Sequence, residues 1–373
     1  MRILYITPII KGEGGVQRIL SIKTNYFIDN FNYQIDILSK NDENDNLLFD
    51  YNKEIGFYDL SLKGNKISSL FQYKKQLQNC IKLVNPDCII VCDFGLKGFL
   101  IPFLIHTKKP IIFEAHGSLY NESQYYKVTF FSKLAHNVKY SYRIFCAKRF
   151  DLFIALSKES LKEWNLKKGV VIPNSVVVNN NLLAPLISKK VIVVARHSYE
   201  KGIDRILQVW KIVSQKHIDW ELEIYGTEDQ SLQLKSLAEA LTISDRVRFY
   251  EPVKDIENKY LDSAIYAMTS RSEGFPMVLL EAMSYGLPVV AFDCPIGPKS
   301  IIINNENGFL IPDGNIELFA TKINELIEDV NLRKTIGIAA QKSMEKYNID
   351  TIMKMWNELF IEILKNKKIK FLS

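Results

Sequence analysis

Two sets of short apolar runs, each run followed by a longer amphipathic stretch, constrain this chain more than any other feature. The first set reads RILYITP, YQIDILS, DCIIVCDF, PIIFEAHG, DLFIALS and GVVIPN. The second reads KVIVVARH, DWELEIYG, RVRFYEPV, AIYAMTSR, LPVVAFDC and GFLIPDG. Near-continuous hydrophobicity over so few residues fits strands covered on both faces, the environment of a parallel sheet. The helix-length stretches between runs, such as 64–85 and 120–148, can supply the crossovers that parallel strands need. Between the sets lies SVVVNNNLLAPLISKK (175–190), polar, Asn-rich and containing Pro185, which reads as a linker. The expected fold class is α/β: two doubly wound parallel-sheet domains in tandem, facing a central cleft. The boundaries expected are 1–180 and 181–350. The segment 351–373 reads as an amphipathic C-terminal helix packing back on the first domain.

Bulk properties agree. At roughly 100–200 residues per domain, the 373 residues make two domains the leading expectation. The chain is 47% hydrophobic and 24% charged, ordinary for a globular protein with two cores. No segment approaches the roughly 20 apolar residues that span a bilayer. The best candidate, GFLIPFLI (98–105), is short and contains Pro102. The N-terminal MRILYITPII meets KGEGG too soon for a signal peptide and reads as a first buried strand. A cytoplasmic protein is expected. The five cysteines are odd in number and scattered, which fits reduced core thiols and no metal site. Charge is uneven: residues 1–185 hold 24 Lys/Arg against 16 Asp/Glu, and the rest hold 24 against 26. A basic first half points to an anionic partner.

In doubly wound sheets ligands bind outside the carboxyl ends of the strands, so the loops just after each strand matter most. After the first strand comes PIIKGEGGVQRIL (8–20), with Gly12, Gly14 and Gly15 ahead of a helix starting near Val16. It can admit an anion to the helix N-terminus, and it also fits a flexible turn. In VVARHSYEKGID (193–204), Arg196 and Lys201 straddle a turn between strand and helix. Two cations there suit a diphosphate, and a solvated pair as well. RSEGFPMVLLEAMSYGLPVV (271–290) is the most specific stretch. Glu273 lies in a loop, Pro276 fits the first turn of a helix, Glu281 sits inside that helix, and Gly286 stops it. A carboxylate accepts two hydrogen bonds side by side, which matches the vicinal diol of a sugar or ribose. The amides near Gly274 and Phe275 can meet a phosphate. Glu273 alone also fits an acid favoured by the helix dipole; Glu281, inside VLLEAM, fits a surface role poorly.

EGFPMVLLE followed by AMSYGLPVVAFD resembles the E-x7-E segment of retaining glycosyltransferase family 4, nucleotide-sugar enzymes of GT-B fold with two Rossmann-like domains. ARHSYEKG resembles that family's diphosphate clamp, GEGGVQR its glycine loop and VIPNSV its domain-closing Pro-Asn. DCPIGPKSII resembles a subgroup that builds polysaccharides, lipopolysaccharide cores and lipid-linked oligosaccharides from UDP-sugars. The likeness spans essentially the whole chain and is most specific from Ala195 to Asp313. It implies an acceptor-side first domain and a nucleotide-sugar-binding second domain. It also implies these roles: Arg196 and Lys201 on the donor diphosphate, Glu281 on the ribose, and Glu273 with the amides of Gly274, Phe275 and Met277 on the transferred sugar and its phosphate. Pro276, Val278 and Leu279 would line the same site. Gly226 and the backbone near Val253 would face the base, and Gly14 and Gly15 would close over the phosphates. His116 would lie near the reacting carbon and orient the sugar. Two departures stand out: Ala195 where the family often has glycine, and YGTEDQ, which keeps only Gly226.

The activity implied is transfer of a hexose or N-acetylhexosamine from a UDP-sugar to a growing cell-surface glycan or lipid-linked saccharide. Configuration is retained, the leaving diphosphate accepts the proton, and neither cofactor nor metal is required. The stretch 123–150 holds six Lys/Arg, eight Phe/Tyr and no acid. It fits peripheral contact with an anionic inner-membrane surface, a polyprenyl-diphosphate acceptor, or a solvated face over an aromatic core. Nucleic acid is not an expected partner. The rival readings are another GT-B enzyme, such as a nucleotide-sugar epimerase or a phosphorylase, and an inactive nucleotide-sugar-binding subunit.

Overall fold

The computed structural model describes residues 1–12, 14–40, 47–119, 130–167, 169–178 and 182–365. They form two compact units: Met1–Asn174 with the chain from Ile352 onward, and Ser175–Thr351. The first unit is built on β1 (Arg2–Ile6), β2 (Gln34–Ser39), β3 (Gly56–Asp59), β4 (Cys88–Val91), β5 (Ile111–Ala115), β6 (Leu152–Ala155) and β7 (Gly169–Val171). Their spatial order is β3-β2-β1-β4-β5-β6-β7, with every pairing parallel. Crossovers run through α1 (Gly15–Phe31), α2 (Lys66–Val84), α3 (Leu96–Leu104), α4 (Phe130–Ala147) and α5 (Lys158–Trp164). Three of these helices stop on an asparagine in the left-handed region, Asn32, Asn85 and Asn165. Asparagine tolerates that conformation better than other residues with a Cβ.

The second unit holds β8 (Lys190–Val194), β9 (Glu221–Tyr225), β10 (Val247–Tyr250), β11 (Ile265–Met268), β12 (Val289–Asp293) and β13 (Phe309–Pro312). The order is β10-β9-β8-β11-β12-β13, again wholly parallel. Its helices are α6 (Ile203–Lys216), α7 (Leu234–Ala240), α8 (Ile256–Leu261), α9 (Met277–Ser284), α10 (Ile316–Glu328) and α11 (Val330–Ser343). Core residues such as Ile224, Ile265 and Val290 are shut off from solvent, as sheets covered on both faces require.

Two details differ from the sequence reading. Strand β3 was not expected: GFYD alternates half-buried and exposed residues at a sheet edge, so it lacks the continuous apolar run of its neighbours. The 175–190 stretch is largely structural. Val176 donates to Tyr347 O at 2.9 Å and accepts from Ile349 N at 3.1 Å, Ala184 donates to Tyr285 O at 2.8 Å, and Leu186 is buried. The second unit therefore starts at Ser175. Of the region expected to be helical from 120 to 148, residues 120–129 lie outside the described residues and Phe130–Ala147 is helical.

The last helix, α12 (Ile349–Lys365), enters the first unit at Ile352. It buries Trp356, Phe360 and Ile363. Phe360 meets Phe27 of α1 edge-on at 5.6 Å, and the Tyr33 hydroxyl donates to Asn357 Oδ1. Among the described residues, no helix is long and apolar enough to cross a membrane.

Candidate active site

Strand order reverses between β8 and β11, and in such sheets ligands bind outside the carboxyl ends of the strands at this switch point. The loop after β8 carries Arg196 and Lys201; the loop after β11 carries Glu273. The fold brings two of them together: Lys201 Nζ donates to Glu273 Oε1 at 2.7 Å. Ser270 Oγ donates to the same oxygen, also at 2.7 Å. Glu273 is 8% exposed, and these charge-assisted bonds offset its desolvation. Arg196 is exposed.

A residue the sequence reading left unassigned ties these loops to each other. Arg271 holds Asp204 through two nitrogens at 2.8 and 2.5 Å, and donates to Tyr199 O at 2.7 Å. Its guanidinium also lies 4.0 Å from the centre of the Tyr199 ring. The turn bearing Lys201 is thus fixed to the loop bearing Glu273. The backbones touch as well: Gly202 has φ +65°, and a Cβ there would lie 2.2 Å from Thr269 O.

Helix α9 follows. Pro276 is its N-cap (φ −74°, ψ 104°), one position earlier than expected. Met277 and Val278 open the helix, where backbone N–H groups lack intrahelical acceptors. Gly274 is half-buried, and the buried Phe275 packs edge-on against Tyr347. Leu279 does not fit the site: its side chain is fully buried and its N–H donates to Pro276 O at 3.1 Å, so it packs the helix. Glu281 is 5% exposed and accepts from the Tyr260 hydroxyl at 3.2 Å, which rules out a surface acid. Gly286, at φ +75°, ends the turn after α9. Across from Glu273, Ile296 pairs with it in a parallel bridge at φ +75°. A β-branched residue there is strained by roughly 1–3 kcal/mol, a cost concentrated at functional loops.

On the other flank, Gly226 donates to Tyr250 O at 3.0 Å. A Cβ on Gly226 would lie 1.9 Å from the backbone O of Ala195, so glycine is what lets the two backbones approach here. Beyond β10, Val253 is exposed, and the rings of Tyr225 and Tyr250 stack at 4.7 Å.

In the first unit, Gly14 caps α1 and Gly15 begins it; Glu13 lies outside the described residues. His116 follows β5, and its Nε2 lies 3.3 Å from Glu114 Oε1. Lys23 of α1 donates to both Glu114 oxygens, at 2.6 and 2.5 Å. The Cys92 thiol donates to Oε2 at 3.4 Å. The Lys23 ammonium lies 5.4 Å from the centre of the Tyr5 ring and 4.4 Å from that of Trp356. Burial pushes the Glu114 carboxyl up, but Lys23 and then His116 outweigh it and hold it well below the usual carboxylate range. Burial, then Glu114, pushes the Cys92 thiol far up, so it stays protonated. Cys92, Glu114 and His116 place ligand atoms within 4.8 Å of one another. Lys23 already takes both carboxylate oxygens, the place a metal cation would need. The sequence reading missed this network because its central pair, Lys23 and Glu114, lies 91 residues apart. The available signals were a lysine on the buried stripe Ile19, Leu20, Phe27 of α1 and an acid inside the apolar strand IIFEA. Glu163 holds the loop after His116, accepting from Ser118 Oγ at 3.1 Å and Leu119 N at 3.0 Å.

Of the basic–aromatic stretch, 123–129 lies outside the described residues. On α4, Leu134, Val138 and Phe145 are exposed. Phe145 stacks on Phe103 at 5.9 Å, and Arg149 lies within 6 Å of both rings, at 5.8 and 5.9 Å.

Residues 180–343 match the family described as Glycosyl transferases group 1. An uncharacterized glycosyltransferase of Haemophilus influenzae is 29% identical over 352 residues, covering 93% of this chain and 96% of its own. The lipopolysaccharide 1,6-galactosyltransferase of Salmonella typhimurium is 26% identical, covering 88% and 90%. Among solved structures, a variant of Staphylococcus aureus TarM in complex with fondaparinux, α-GlcNAc-glycerol and UDP superposes with a TM-score of 0.79 at 17% identity, covering 96% of this chain and 99% of its own. That last likeness concerns the fold. With two parallel-sheet α/β units of GT-B architecture, a second unit similar to the group 1 glycosyltransferases and relatives that span nearly the whole chain, the protein is a glycosyltransferase.

Proposed function

We propose that the protein moves a hexose or N-acetylhexosamine from a UDP-sugar to a growing cell-surface glycan or lipid-linked saccharide, with retention of configuration. The observation that carries this reading is the Lys201–Glu273 pair at the sheet's switch point, directly ahead of the open amides of α9. Both bonds to Glu273 fall on Oε1, which leaves Oε2 to accept from a hydroxyl of the transferred sugar. Glu281 would take the ribose diol, and Gly226 and the backbone near Val253 the base. Arg196, Lys201 and the amides of Met277 and Val278 would stabilise the charge that develops on the leaving diphosphate. The chain itself supplies that charge in this reading, with no metal or cofactor. His116, Gly14 and Gly15 lie in the first unit, and in this reading His116 would orient the transferred sugar. The UDP in the TarM complex and the lipopolysaccharide named for the Salmonella relative support the choice of donor and product class.

A panel of nucleotide sugars scored by thermal shift, then by UDP release with saccharide acceptors, tests the reading. UDP and UDP-sugars are expected to raise Tm above all other nucleotides; stabilisation by a different nucleotide alone would reject the donor. Glu281→Ala removes charged hydrogen bonds worth about 1.5–3 kcal/mol each, so UDP should bind roughly 10–100-fold more weakly. Unchanged affinity in the folded variant removes Glu281 from the ribose site.

We also propose that a cytoplasmic form of the protein docks peripherally on the inner membrane leaflet through the exposed Leu134, Val138 and Phe145 beside Arg149. Apolar side chains flanked by cations bind anionic bilayers by combining burial with charge attraction. In a flotation assay the protein should rise with anionic vesicles at low salt, and Phe145→Ser should reduce that fraction. Equal recovery with neutral and anionic vesicles contradicts the docking.

A further inference from the structure

The buried Lys23–Glu114 pair lies behind His116 and has no place in the donor chemistry above. A glycosyltransferase could cover the back of β5 with apolar residues, and a buried ion pair seldom adds stability over such a core. Its geometry gives it another use. Glu114 Oε1 stands 3.3 Å from His116 Nε2, while the carboxylate is held in place by Lys23 at 2.6 and 2.5 Å. Lys23 in turn is boxed by Tyr5 and by Trp356 of α12. The His116 side chain is 8% exposed and that of Glu114 2%. Lys23 already balances the Glu114 charge.

We propose that Glu114, clamped by Lys23, is a positioning residue for His116: it accepts the Nε2 proton, fixes the neutral ring in that tautomer and leaves Nδ1 as a lone-pair acceptor. His116 then receives a hydrogen bond from a sugar hydroxyl through Nδ1 and does not give one. The inference rests on reading His116 as the residue that orients the transferred sugar. The carboxylate sets which ring nitrogen carries the proton, as a partner of the other nitrogen does for histidine in general.

The test uses the full-length, ligand-free protein at neutral pH, with ¹⁵N-labelled histidine and His116 assigned by its loss in His116→Gln. The expected spectrum has His116 Nε2 protonated and Nδ1 bare. Lys23→Met/Glu114→Leu replaces the pair by apolar residues and should fold, because such swaps keep cores intact. In it the two His116 signals should move towards the averaged positions of mixed tautomers. Lys23→Met/Glu114→Gln restores an acceptor oxygen and should restore the single tautomer. An imidazolium or Nδ1-protonated ring in the wild type overturns the proposal, as does an unchanged tautomer in the Leu variant. Because no donor is present, these results stand apart from any failure of the UDP-sugar reading, which the nucleotide panel decides.

Discussion

Lys23→Met is expected to destabilise the first unit by about 3–5 kcal/mol, the usual cost of leaving one member of a buried ion pair alone. Glu114 would keep its burial at the centre of the sheet while losing both bonds from Nζ. The pH dependence should change sign with it. In the wild type the Glu114 carboxyl is held below its unfolded value. The pair's stabilisation is therefore fully present above the ordinary carboxylate range near pH 4 and is lost as pH falls through the lower folded value. Without Lys23, burial is the dominant influence left and should raise the folded value. The variant should then be at its best in mild acid and lose stability as pH rises towards neutrality. Urea unfolding of both proteins between about pH 5 and 8 checks this. Parallel stability curves for the two would show that Lys23 does not neutralise Glu114.

Lys201→Ala should lower kcat by about 100–1,000-fold, the range seen when one group that stabilises a developing anion is removed. In the proposed reaction the loss should fall mostly on kcat, because charge on a leaving diphosphate would grow towards the transition state. The variant also strips Glu273 of its cation while Ser270 remains. Lys201→Arg should recover only part of the rate, since a planar fork cannot reproduce a compact ammonium between a carboxylate and a phosphate. UDP release at saturating donor measures both variants. A kcat within about threefold of wild type would exclude Lys201 from stabilising the leaving group.

The alternating runs predicted both sheets well because parallel strands buried on two faces must be apolar throughout. Where that condition failed, so did the reading: the edge strand β3 shows only GFYD, half in and half out. The 175–190 stretch misled for a related reason. Its polar residues and Pro185 look like linker, yet Val176 and Ala184 make backbone bonds to the second unit, and backbone bonds leave little trace in side-chain composition. At the site, Glu281 stood out because an acid on a short buried helix is costly without a partner; the partner, the Tyr260 hydroxyl, is 21 residues away. Arg271 was in plain view within RSEGFP, but its role depends on Asp204, 67 residues earlier.

By itself the sequence determined the class of fold, the succession of its buried strands, and which loops follow them. These rest on local periodicity and on helix and turn chemistry, which neighbouring residues carry. Only the tertiary structure decided that Lys201 would meet Glu273 and that Lys23 would meet Glu114. Both meetings follow from strand order. The second sheet places β8 beside β11, the first sheet places only β4 between β1 and β5, and α1, which follows β1, buries a lysine-bearing face that reaches the end of β5. Ion pairs between such distant residues form because the packed sheets exclude water around them, a condition that exists only once the chain has folded.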